Sequence, residues 1–517
     1  MNTQKTFLPE GVKCSFLYNR TLDITDEQAH DADHAEKILF YIPNDTLVEE
    51  QVRDVNLADA LIEFSSSFDT GSVLRTVTSD KYTHHFCKWE DDTWFCMVLD
   101  RTAYIDSKHV SHSSSFSTNI VLDVMEGLYK VYRMFYNAIE PSIYKKNEEG
   151  EIIAKELIRQ RVKLHKAKYI EECVKNGEMQ ESEENKQYID GISTYEERIK
   201  QLESMSELPI IRQQLFKVLR KYLLYYCWTQ LHFLYSMDGF LEFPVDQSLS
   251  IDIHTMMSQL SIQLPFIQYS CLMFDNYFIW SDMSVENQIL INRFCTSNRD
   301  LSPIENDRFR LIMNTEGEIE TVVNLNVPNE ENQITLTPFK LIRVRTGYCV
   351  FLFLLSNDFD TSSDIFLNDI VRLVGNKIQA INLELIKKRR TLIHLNDSSF
   401  MFFNHDELTH GLQTNASNQW IEGRPAISLV SPSFMMRNIP TFLVFPLNNV
   451  YMKLKTTSSF IEVTEKICDT YWLYGCKQKE HILLMMIKTP QIMTVEEILS
   501  AVHRMVDEKF GTAFTLI

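Results

Sequence analysis

The residue types able to hold a metal or move protons gather at a few places in this chain. His84-His85 with Cys87 lies in an alternating run, which puts His85 and Cys87 on one face of a strand. A zinc site needs further ligands at regular spacing, and none stands nearby. His30 and His34 with Asp31 and Asp33 fall in a polar, acidic stretch, 21–36, that reads as a loop. His405, Asp406 and His410 are as sparse. The sequence contains no GxxxxGK[ST], GxGxxG, GxSxG or HExxH. Only 14 glycines occur in 517 residues, few for a chain that folds its backbone around phosphate. The expectation is a protein with no catalytic residue, no metal and no cofactor.

Cations offer a second kind of chemistry. Lys387-Lys388-Arg389-Arg390 closes a helical pattern, where positive charge suits the helix C-terminus. The same run can meet anionic lipid headgroups, and Arg343 and Arg345, on one strand face, can join it. These six residues are the membrane-facing candidates. Phe460-Ile461-Glu462-Val463 after Ser458-Ser459 has the form of a short autophagy-receptor-binding peptide, a pattern that also arises by chance.

The element that organises the chain runs from Lys37 to Phe68. Ile38-Leu39-Phe40-Tyr41 reads as a short strand, broken by Pro43, Asn44 and Asp45. Thr46 and Glu49 have capping-box spacing before a helix. Val48, Val52, Val55, Ala58 and Ile62 form one apolar stripe, interrupted near its edge by Asp59, and Leu57, Leu61 and Phe64 form another. A helix lying on a sheet needs one apolar face. The second stripe is either buried too or is a surface for another protein, and Leu57, Leu61 and Phe64 are the interface candidates.

The remaining elements recur in order. Strands at 14–19, 72–78, 82–89 and 93–99 and a helix over 115–139, with Ser115 or Ser117 as its cap, complete an antiparallel sheet covered by helices. The stretch 144–208 is dense in Glu and Lys and reads as a solvated, partly helical insertion or linker. A long apolar helix follows over 210–235. The longest membrane-like run, Tyr222 to Met237, contains Gln230 and His232 and falls short of the ~20 residues a membrane span needs. A second cycle has hairpins around Asp275-Asn276, Glu316-Gly317 and Thr346-Gly347, then a helix over 364–388. A third has strands at 400–403, 441–445, 469–474 and 481–487, and a helix over 494–510 opened by Thr494 and Glu497. The expected domains are 1–245 (with the insertion at about 145–207), 246–392 and 393–517, all α+β.

The formal net charge is −19, from 51 basic and 70 acidic residues, which argues against nucleic acid as a partner. Ten cysteines without CxxC spacing, several in apolar runs such as Cys96, Cys227, Cys271 and Cys349, suggest reduced core thiols and a cytoplasmic protein. The first residues lack the apolar core of a secretory signal, and any membrane association is expected to be peripheral.

Phe16-Leu17-Tyr18-Asn19, Lys37 through Pro43, Arg53-Asp54-Val55 and Leu61-Ile62-Glu63-Phe64 resemble the start of the calcium-caffeine-zinc sensitivity (Ccz) family. Cys271 to Phe274 with Tyr277 to Ser281, Phe400 to His405, and Tyr471-Trp472 through Lys509 to Thr512 are similar to later parts of it. The resemblance implies three tandem longin-like domains. It also implies a subunit that joins a Mon partner to activate the late-endosomal Rab GTPase, in some complexes with a third regulatory subunit. That subunit would act peripherally on anionic or phosphoinositide membranes of late endosomes and lysosomes. The alternative is a longin scaffold or adaptor in trafficking or planar cell polarity. Effectors of the inturned type share the architecture and add a PDZ-like region, which is not seen here.

Overall fold

The computed structural model describes residues 12–22, 34–68, 73–100, 118–147, 152–176, 179, 182–225, 245, 247–274, 277–297, 309–312, 320–328, 333–357, 363–392, 398–404, 446, 449–451, 453–454, 461–468, 471–478, 481–488 and 494–510. The chain divides into two compact units, residues 1–229 and 230–517.

In the first unit, strands β1 (Val12–Asn19), β2 (Ile38–Ile42), β3 (Thr76–Thr78), β4 (Tyr82–Lys88) and β5 (Thr93–Asp100) form one antiparallel sheet in the order β2-β1-β5-β4-β3. Helix α1 (Val48–Ser66) packs on the face lined by Cys14, Phe16, Tyr18, Tyr41, Phe86, Trp94, Cys96 and Val98. Alternation sends Phe95 to the other face, where its ring lies 4.9 Å from Trp89. Trp89 Nε1 in turn donates to the Met125 carbonyl of α2 (Thr118–Phe135). Glu90, in the turn after β4, accepts from the backbone N–H groups of Ile139 and Glu140 at the head of α3 (Ile139–Ile143). The carboxylate there satisfies donors that a helix start leaves open.

The Glu- and Lys-rich insertion is a folded module, which corrects the reading of a solvated linker. It forms α4 (Ile153–Lys175), α5 (Glu183–Asp190) and α6 (Ile192–Met205). Ile153, Leu157, Ile199 and Leu202 make a small core of their own, with Leu164 against it. Next comes α7 (Leu208–Tyr225), which packs on α2 and β2; the rest of the expected helix to residue 235 lies outside the described residues.

Among the described residues the second unit holds two sheets. Helix α8 (Gln247–Gln263) precedes β6 (Ile267–Phe274), β7 (Tyr277–Ser281), α9 (Val285–Ser297), β8 (Phe309–Leu311), β9 (Glu320–Pro328), β10 (Ile334–Thr346), β11 (Cys349–Ser356) and α10 (Ser363–Leu392). The order is β7-β6-β11-β10-β8, with β9 also on β10. Thr346 pairs with Cys349 around Gly347, whose φ of 54° is the left-handed conformation such a turn requires. The hairpin expected around Glu316-Gly317 is corrected: β8 and β9 each pair with a different length of β10, 344–346 and 334–342.

The last sheet runs β12-β15-β14-β13, with β12 Ser398–Asn404, β13 Ile461–Cys468, β14 Tyr471–Gln478 and β15 His481–Lys488, followed by α11 (Val495–Phe510). The sequence reading missed β13, and Ile461-Glu462-Val463 of the peptide-like motif are paired along β14. Gly475 lets Val450 and Leu454 close on β14, because an added Cβ would stand 2.6 Å from Val450. The Thr494–Glu497 capping box forms in both directions, at 2.8 and 3.3 Å. The expected strand at 441–445, the caps Ser115 and Ser117, Cys227, and the candidates His30, Asp31, Asp33, His405, Asp406 and His410 lie outside the described residues.

Candidate functional site

The face of α1 turned away from the sheet is the candidate site. Val52, Val55, Ala58 and Ile62 are buried. Around the helix, by 100° per residue, Leu57 and Phe64 project roughly opposite to them. Leu57 is 48% exposed and Phe64 65%. Phe68, just past the helix, meets Phe64 edge to face at 4.8 Å and is itself exposed. Leu47 and Val48 add exposed apolar surface at the other end. Leu61 differs from its two companions. It is half-buried and packs against the core beneath the helix.

Two aspartates hold this helix in place. Asp54 accepts from Tyr41 Oη at 2.9 Å, from Lys13 Nζ at 3.2 Å and from Cys14 Sγ at 3.6 Å. Asp59, which looked like a flaw in the apolar stripe, accepts from Arg20 Nε at 2.6 Å and from Tyr18 Oη at 3.5 Å, and lies 3.9 Å from the buried Lys37 Nζ. Burial raises the Tyr18 and Tyr41 phenols well above their usual range and pushes the Cys14 thiol up to about 12, so these groups stay protonated as donors. The capping box expected from Thr46 and Glu49 is corrected. The helix starts one residue later with Leu47 as its N-cap, and Gln51 Nε2 takes the Thr46 carbonyl at 2.7 Å.

The beginning of β2 is clasped separately. Glu36 accepts from Arg161 of α4 and from Arg212 of α7, whose Nη2 lies 2.9 Å from the carboxylate. Arg161 also donates to Glu203 of α6 at 2.8 Å. Neither this clasp nor the aspartate anchors could be found from spacing, because their partners stand far apart in sequence.

The basic candidates do not come together as one set. Arg343 is 4% exposed and its guanidinium lies 5.3 Å from the centre of the Phe294 ring, which corrects its reading as a membrane-facing residue. Arg345 is half-buried and donates to the Gly347 carbonyl at 3.2 Å. Lys387 is exposed and pairs with Glu384 at 2.6 Å. Lys388, Arg389 and Arg390 continue the backbone of α10. His84 and His85 lie on β4, with Thr76 Oγ1 3.3 Å from His85 Nδ1. Burial lowers His85 to about 4, which makes it a neutral core residue at ordinary pH. No cluster of histidines, cysteines and carboxylates among the described residues is arranged to hold a metal.

A family model described as the first longin domain of INTU, CCZ1 and HPS4 matches residues 13–137, the sheet and helices that present this surface. The chain is 19% identical to a vacuolar fusion protein CCZ1 homologue of Tetraodon nigroviridis, over 97% of this chain and 95% of that protein. It is 18% identical to the homologue of Xenopus tropicalis, over 57% of this chain and 49% of that protein. Homologue B of Arabidopsis thaliana is 22% identical over 23% of each. The matched region thus spans about half of the Xenopus relative and nearly all of the Tetraodon one. With three antiparallel sheets in succession, the chain is built from tandem longin-like units.

Proposed function

We propose that the chain is a member of the Ccz family, which its longin-domain match and its likeness to the CCZ1 homologues support, and that it is the longin subunit of a heteromeric guanine-nucleotide exchange factor that activates the late-endosomal Rab GTPase. Its partner is a Mon subunit, joined longin domain to longin domain. The reading places the pair peripherally on late-endosomal and lysosomal membranes, in endosome maturation and vesicle fusion. The observation that carries it is the exposed apolar face of Leu57 and Phe64 on an α1 whose other side is already filled.

The physics suits a chain without a reaction centre. An exchange factor prefers the switch conformation that lacks nucleotide and shifts the equilibrium by differential binding. It needs a surface of the right shape and no nucleophile. The test is release of fluorescent GDP from the late-endosomal Rab with this chain, the Mon subunit, or both present. Acceleration by the pair is expected. No acceleration by the pair, with the two proteins bound to each other, would leave a longin scaffold as the better reading.

A further inference from the structure

The outer face of α1 carries charge as well as apolar surface, and the two are arranged separately. Leu57, Ala60 and Phe64 are exposed along the second half of the helix. Glu49, Glu50 and Glu63 are exposed beside and before them, and Asp45 is exposed in the preceding turn. Among the described residues of this helix Arg53 is the one cation; it lies 3.8 Å from Glu50 at their nearest atoms, with its side chain 72% exposed. The carboxylates of Asp54 and Asp59 are turned in and taken by Lys13, Arg20 and Lys37. The result is an apolar centre with an acidic border.

Such a border selects among partners. A second copy of this chain would bring the same carboxylates against themselves, and each copy carries a formal net charge of −19. Resting on the exchange-factor reading above, we infer that this face docks a different protein, one whose apolar contact surface is bordered by lysine or arginine, and that its acidic rim accelerates that encounter and excludes self-pairing. The apolar centre holds the complex together, while the rim sets the association rate and its salt dependence.

The experiment measures association of the full chain with the Mon subunit by biolayer interferometry across a salt series, alongside sedimentation of the chain alone. Three forms are compared: the parent, Glu49→Lys with Glu50→Lys and Glu63→Lys, and Leu57→Ala with Phe64→Ala. The charge variant is expected to associate roughly tenfold more slowly at low salt and to lose most of the salt dependence. The apolar variant is expected to dissociate faster with its salt dependence retained. The parent alone is expected to sediment as a monomer. An unchanged rate and salt slope in the charge variant overturns the inference while leaving the exchange-factor reading in place. So does a parent dimer that the apolar variant abolishes. Undiminished binding by the apolar variant overturns both.

Discussion

Leu57 and Phe64 point outward from α1 and Val55 and Ile62 point inward, so substitutions at the two pairs should separate association from stability. Leu57→Ala with Phe64→Ala should keep the parent melting temperature and weaken Mon binding by about a hundredfold, from roughly 1.5 kcal/mol or more per side chain. Val55→Ala with Ile62→Ala should destabilise the fold by about 1–4 kcal/mol and leave affinity unchanged below the melting transition. Calorimetry and isothermal titration read the two effects. Leu61 is the wrong probe, since it touches the core from the outer stripe. Spacing gave the two stripes, but it could not show that one leucine of the outer stripe leans inward. Nor could it show that Asp59 is an anchor, because Arg20, Tyr18 and Lys37 reach it from another part of the chain. A second residue test is His85. Its folded value is about 4, below an unfolded value near 6.5. Between those values the unfolded chain binds the proton and the folded chain does not, so stability falls as pH falls from about 6.5 towards 4. The melting temperature of the first unit should drop on acidification, and His85→Gln should reduce that drop.

At the scale of elements, local rules succeeded where the signal was local. Gly347 in a two-residue turn and Thr494 with Glu497 at a helix start each carry their partners within a few positions. Thr46 and Glu49 have the same spacing and form no box, because the helix begins later and the Thr46 N–H donates to the Pro43 carbonyl. The insertion was illegible for a different reason. Ile153, Leu157, Ile199 and Leu202 are too widely spaced among lysines and glutamates to look like a core, and only the antiparallel pairing of α4 with α6 brings them together. Its attachment rests in part on Glu36, 16% exposed at the side chain, which holds both Arg161 and Arg212. Glu36→Ala leaves two half-buried guanidinium groups short of a partner, a loss of about 1–3 kcal/mol for the docking. Hydrogen exchange should then quicken in α4 to α6 while the strands β1 and β5 keep their protection. Equal loss in the strands would mean that the module and the sheet unfold as one.

At the scale of the molecule, the three-sheet plan was legible because the order of strands and helices recurs even where residues do not repeat. The positions of the cations were not, since Arg343 reads as a surface residue and is enclosed beside Phe294. With Arg343 enclosed, the proposed membrane-facing set contracts to Arg345 and the end of α10. Each basic residue near an anionic bilayer contributes about 1 kcal/mol, and in a chain of net charge −19 so few give weak, salt-sensitive attachment. No helix among the described residues is long and apolar enough to cross a membrane. On the exchange-factor reading we propose that the complex is recruited by its partners and that these few charges hold it reversibly. Lys387→Glu, which reverses an exposed charge beside Glu384, should lower flotation of the assembled complex with anionic vesicles at low salt and have little effect at high salt. Alkaline carbonate should strip the protein from isolated membranes. Retention in the carbonate pellet, or flotation indifferent to salt, would show that something other than these charges holds it there.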